Sequence, residues 1–112
     1  MRFQDLRDAN SIRRTEWPGD DQADTAFRAL EVAGEFGEVA EAVKKMLRAE
    51  RGIKGSTATL QDVADEMADA IISLDLLADH LGIDLGASVA RKFNKTSQKY
   101  GLHTRIREEG GV

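Results

Sequence analysis

Residues 34–45 read GEFGEVAEAVKK and set three glutamates, Glu35, Glu38 and Glu41, at three-residue spacing inside a strongly helical run. Residues three apart on a helix project from neighbouring positions of one face, so Glu35 and Glu38 can converge on a shared point. Around them Ala29, Val32, Ala33, Phe36, Val39, Ala40, Val43 and Leu47 recur at the helical period. That pattern predicts one long helix from about Gln22 to Arg51 with this apolar arc as its packed face. Lys44, Lys45, Arg48 and Arg51 load its last turns, where the helix dipole favours positive charge. Gly52-Ile53-Lys54-Gly55-Ser56 then reads as a loop, with Gly52 suited to ending the helix.

The following segment repeats the acidic spacing. Glu66 and Asp69 lie three apart in DEMAD, within a helix expected from about Leu60 to Leu81 with Thr59 as its N-cap. Leu60, Val63, Met67, Ile71, Leu74, Ala78 and Leu81 alternate by three and four, a stripe suited to bundle packing. Asp62, Glu66, Asp69 and Ser73 form a second stripe, with Ile72 and Leu76 beyond it. Apolar surface on both edges of an acidic stripe predicts a helix packed on two sides. The carboxylates would then sit in a bundle or a subunit interface.

Outward from this pair, Phe3, Leu6 and Ile12 mark a short helix from residue 3 to about residue 14. Trp17-Pro18-Gly19-Asp20 ends it, since proline disfavours helix in the preceding residue and Pro-Gly is turn chemistry. Asp20, Asp21 and Asp24 place negative charge near the start of the long helix, where the dipole favours it. Past Gly82, Asp84 is expected to cap a fourth helix to about Gln98, with Leu85, Val89 and Phe93 facing inward. Its basic face carries Lys92, Lys95 and Lys99, and the closing RIREEGGV reads as a frayed tail. The expectation is an all-α, four-helix-type bundle in one domain, 1–112. An N-terminal helix and loop would occupy 1–21, the core 22–102 and a tail 103–112.

The composition of the 112 residues narrows the function classes. With 41% hydrophobic and 32% charged residues, the chain is neither disordered nor membrane-spanning in character. A net charge of −4 argues against binding a nucleic-acid polymer, and no membrane partner is expected. The absence of cysteine excludes disulfides and thiolate metal sites. An N-terminus without an apolar leader completes the expectation of a cytoplasmic protein. A short helical chain buries a modest core alone, which makes self-association an expectation as well.

Four carboxylates brought together would repel or raise one another's pKa values, so a cation is implied. Oxygen ligands suit hard divalent ions, Mg²⁺ first and Mn²⁺ as the alternative. A di-iron bundle would need Glu-x-x-His motifs. The chain has none, and its two histidines, His80 and His103, stand apart.

GEFGEVAEAVKK followed by ADEMADAII, with KFNKTSQKYGL near the C-terminus, resembles the MazG-like, all-α nucleotide pyrophosphohydrolases over about Ala26 to Leu102. The resemblance implies a four-helix core assembled as a homodimer or homotetramer, with Mg²⁺ held by Glu35, Glu38, Glu66 and Asp69. The implied reaction is hydrolysis of a nucleoside triphosphate, NTP or dNTP, to the monophosphate and pyrophosphate, as nucleotide-pool housekeeping. Glu41 matches a glutamate frequent in the family and is the candidate catalytic residue; from the sequence alone it is equally an ion-pair partner of Lys45. Lys92 matches a lysine beside the family's site, and Lys95 and Asn94 are the further substrate-binding candidates of that helix. Thr96 stands where a dCTP-type relative has asparagine. Trp17 is the candidate base-stacking aromatic. Two other readings stand beside this one: a narrow dUTP- or dCTP-specific pyrophosphatase, and a non-catalytic helical interaction protein that keeps the fold.

Overall fold

A computed structural model describes residues 1–109. Among these the chain is entirely helical: α1 (Phe3–Glu16), a 3-10 turn (Asp20–Gln22), α2 (Thr25–Glu50), α3 (Leu60–His80) and α4 (Leu85–Lys99). Each start has a local cause. The Asp24 carboxylate accepts from Phe27 N at 2.8 Å, so the long helix begins three residues later than the expected Gln22. Thr59 and Asp62 form a reciprocal capping box on α3, and Asp84 accepts from Ala87 N at 3.0 Å on α4. Gly52 and Gly82 close α2 and α3 with φ of 65° and 67°, the left-handed turn that returns the chain and satisfies the last carbonyls.

α2 and α3 are the paired elements. The short 51–59 connection turns the chain back, and Glu35 of α2 meets Glu66 and Asp69 of α3, so the two helices run antiparallel. Their seam follows heptad spacing but not on the expected faces. On α2 Arg28 and Ala42 are buried, with Val32, Glu35, Val39 and Met46 half-buried at heptad-related positions; on α3 Val63, Ala70, Ser73, Asp75 and Ala78 are buried, with Glu66 and Leu77 half-buried. The stripe expected to be core is split. Val63 and Ala78 are buried, while Leu60 is 74% exposed and Met67 54%, and on α2 Phe36 is 51% exposed. Small residues at Ala42, Ala70 and Ser73 let the backbones approach, while Phe36, Leu60 and Met67 are exposed.

α1 crosses α3 through a polar contact. Leu6 is its one buried apolar residue, and beside it Asn10 and Asp75 are buried. α4 meets α1 near Gly86, where a Cβ would lie 3.1 Å from the Phe3 Cβ. Residues 103–109 have no regular secondary structure, yet they do not fray freely: Asn94 gives and takes a hydrogen bond with the Ile106 backbone, both 2.7 Å. The radius of gyration is 17.3 Å, well above the ~13 Å of a compact domain of this length. No helix among the described residues is long and apolar enough to cross a membrane.

Candidate metal centre and cleft

Three of the four acidic candidates come together. Glu35 from α2 and Glu66 and Asp69 from α3 each offer a carboxylate oxygen within 4.8 Å of the others. Antiparallel pairing of two helices produces this directly, because Glu35 and Glu66 both occupy seam positions and Asp69 follows Glu66 on the same face. Glu38, one turn beyond Glu35, is exposed and lies outside that group.

The electrostatics of the group are those of an uncompensated cluster. Burial pushes the Glu35 carboxyl above its ordinary value, and the charges of Asp69, Glu66, Glu38 and Glu31 push it further. Among the described residues none of the eight ion pairs involves Glu35, Glu38, Glu66 or Asp69. Three converging oxygens with no cationic side chain on them suit a hard divalent ion, which keeps water and substrate oxygens in its remaining positions.

Glu35 and Asp69 also line one end of a cleft of about 380 Å³. Asn10, Arg13, Arg14 and Trp17 of α1 and its C-cap form one wall, and Phe27, Arg28 and Glu31 of α2 form another, with Ile72, Ser73 and Leu76 of α3. Pro18, Gly19 and Asp20 of the following turn also line it. Trp17 lines this space and is 64% exposed. The volume falls within the range of small-molecule sites.

The cleft is bound together by ion pairs. Arg28, 5% exposed, is held by Asp20 and by Glu31 at 2.8 Å. Arg14 reaches Asp20 at 3.1 Å and Asp79 at 3.4 Å. Burial alone would raise the Asp20 carboxyl, but hydrogen bonds and charge from Arg14 and Arg28 outweigh it and hold the group below its ordinary value.

The remaining sequence candidates lie elsewhere. Glu41 pairs with Lys44 at 3.0 Å, not with Lys45, and this hydrogen bond lowers its carboxyl. Lys92 and Lys95 are exposed on α4, and no α4 residue lines the cleft. Asn94 is occupied by the tail. Arg28 and Arg13 were missed by sequence reasoning. For Arg28 a signal existed: it precedes Glu35 and Ala42 by seven and fourteen residues, a charged residue in register with the seam.

Residues 34–110 match the family model described as the MazG-like family. No curated protein matches the chain, and no solved structure does.

Proposed function

We propose that this chain, which belongs to the MazG-like family, hydrolyses a nucleoside triphosphate to the monophosphate and pyrophosphate with Mg²⁺, or Mn²⁺ in its place. The observation that carries the proposal is the convergence of Glu35, Glu66 and Asp69 at the end of a cleft that also holds an exposed tryptophan. Oxygen donors alone, on two rigid helices and without a lysine or arginine among them, fit a hard divalent ion. Glu35, Glu66 and Asp69 would hold it, with Glu38 as the fourth carboxylate one turn along α2. Such an ion supplies charge neutralisation for the phosphoryl oxygens and a bound water of lowered pKa.

The chain's own groups account for the rest. Burial and neighbouring charge raise the Glu35 carboxyl in the absence of a cation, and a bound divalent ion would relieve that repulsion. Glu41, lowered by Lys44 and outside the cluster, receives no proton-transfer role. The Trp17 indole offers a face on which a base of any identity can stack, which suits a broad nucleotide range.

A second copy of the chain is the proposed macromolecular partner, as a homodimer or homotetramer. The large radius of gyration and the outward-facing Phe36, Leu60 and Met67 support it, since a monomer would leave this apolar surface in water. Lys92 and Lys95 keep a proposed substrate role only if assembly carries α4 of one copy to the cleft of another.

A panel of common NTPs and dNTPs, assayed for pyrophosphate release with Mg²⁺ and with Mn²⁺, tests the activity. Release from at least one nucleotide, abolished by chelation, is expected. Silence across the panel would return the chain to the reading of a non-catalytic interaction protein.

A further inference from the structure

The wall that α1 gives the cleft is a single helix face. Asn10, Arg13, Arg14 and Trp17 are spaced three, four and seven apart, the positions that stack on one side. They divide by what holds them. Asn10 is buried and donates its amide to Asp75 at 3.0 Å and to the Ile72 carbonyl at 3.4 Å. Arg14 is committed to Asp20 and Asp79. Arg13 and Trp17 both line the cleft and are exposed, and among the described residues Arg13 has no ion pair.

The charges of the cleft therefore do not balance evenly along it. Of its three arginines, Arg28 is neutralised by Asp20 and Glu31, and Arg14 by Asp20 and Asp79. Only Arg13 brings a positive charge not already spent on a carboxylate. At the other end Glu35 and Asp69 bring negative charge with no side-chain partner. A triphosphate chelated to a divalent ion keeps net negative charge, which the carboxylates repel once their ion is shared with it. A free guanidinium in the same cleft offsets that repulsion. It stays protonated at any working pH, and its planar fork matches two phosphate oxygens at once.

Resting on the reading of this cleft as a nucleoside triphosphate site, we infer that Arg13 is the chain's own phosphate-binding residue. It holds the phosphate chain between the carboxylate end of the cleft and Trp17, one turn further along the wall. The role that the sequence offered to the lysines of α4 thus falls, within one chain, to an arginine of α1. Asn10 and Arg14 fix the helix that carries it against α3 and the Asp20 turn.

Trp17 is the only tryptophan, so its fluorescence reports occupancy of the cleft directly. Titration with a non-hydrolysable analogue of the best substrate of the panel, and separately with its nucleoside, tests the assignment on the intact protein. Arg13→Ala is expected to weaken the triphosphate roughly tenfold to a hundredfold, the range of a charge-assisted hydrogen bond, and to leave the nucleoside unchanged. Arg13→Lys should recover part of the loss, since it restores charge without the fork. KM should rise with the dissociation constant while kcat changes less. Unaltered triphosphate affinity in Arg13→Ala overturns the assignment, and so does an equal loss for nucleoside and triphosphate. Either result can arise with a wild type that turns over normally, whereas a wild type inert toward every nucleotide removes the underlying reading instead.

Discussion

The two faces of α3 treat carboxylates in opposite ways. Toward α1, Asp75 is 1% exposed and saturated: Arg7 Nε lies 3.2 and 3.3 Å from its two oxygens, Arg7 Nη2 at 3.1 Å, and the Asn10 amide at 3.0 Å. Toward α2, Glu66 and Asp69 meet Glu35 with no donor from arginine or lysine, and burial with like charge raises Glu35. A buried carboxylate that is paired holds two elements together, because removing either partner strands a charge. A carboxylate that is left unpaired among others costs stability, and the cost is offset when a cation arrives. One helix thus carries an anchor on one side and a site on the other.

Substitution should separate the two faces, and the largest effect is expected at the site. Asp69→Asn should lower Mg²⁺-dependent pyrophosphate release by about three orders of magnitude, ~4 kcal/mol of barrier, with an unchanged circular dichroism spectrum. Activity within a factor of ten of the wild type would erase the distinction between the two faces. Next comes the anchor. Asp75→Ala leaves Arg7 without its main acceptor and should cost about 3–5 kcal/mol of stability, read as a lower midpoint in urea. A midpoint equal to the wild type's would make the α1 contact incidental.

Ligand linkage gives a smaller contrast. At a hundredfold excess over its dissociation constant, Mg²⁺ should stabilise the wild type by about 2.7 kcal/mol and do nothing for Asp69→Asn. Equal stabilisation of both proteins would place the ion elsewhere.

The smallest effects are in pH dependence, where the two kinds of carboxylate should differ in sign. Asp20, held below its ordinary value of 3.8, contributes stability that is full above that value and is lost as pH falls through its lower folded-state value. Glu35, held above its ordinary 4.5, binds its proton more tightly when folded, so its penalty grows as pH rises through its folded-state value. Asp20→Asn should therefore flatten the acid limb of a thermal-stability profile. Glu35→Gln should raise the neutral-pH melting temperature of the metal-free protein by a few degrees. Shifts of the same sign in both variants would contradict the contrast.

Much of the architecture was legible in the residues. Four helices, the Thr59 and Asp84 caps and the Gly52 and Gly82 ends follow from local chemistry, which acts over a few residues. The packed faces were not legible in the same way. Periodicity selects the stripe with the largest apolar side chains, Met67 and Ile71 on α3 and Phe36 on α2. In this chain the α2–α3 pairing also draws in small and charged residues such as Arg28, Glu35, Ala42, Ala70 and Ser73, and those larger side chains are exposed. Asp75 was the clue. It interrupts the apolar run IISLDLLA, and a charge in such a run is either paired in the interior or turned to water. Spacing led to the expectation that Glu35, Glu38, Glu66 and Asp69 would meet, because i, i+3 geometry is local and only the pairing of two adjacent helices is needed; three of the four come together. The cleft was not, since its wall comes from residues 10–20 and depends on ion pairs between distant segments.

That separation along the chain has a consequence for how the protein folds. The α2–α3 hairpin closes through the short 51–59 connection, so its contacts span fewer residues than those of α1 with α3. The bonds that fix α1 to α3 span 62 to 68 residues and close a much longer loop. The hairpin is therefore the natural nucleus, and α1 docks afterwards on a surface already formed. The carboxylates meet before the wall opposite them is in place, and a cation can enter the nascent centre from open solvent before the cleft has closed over it.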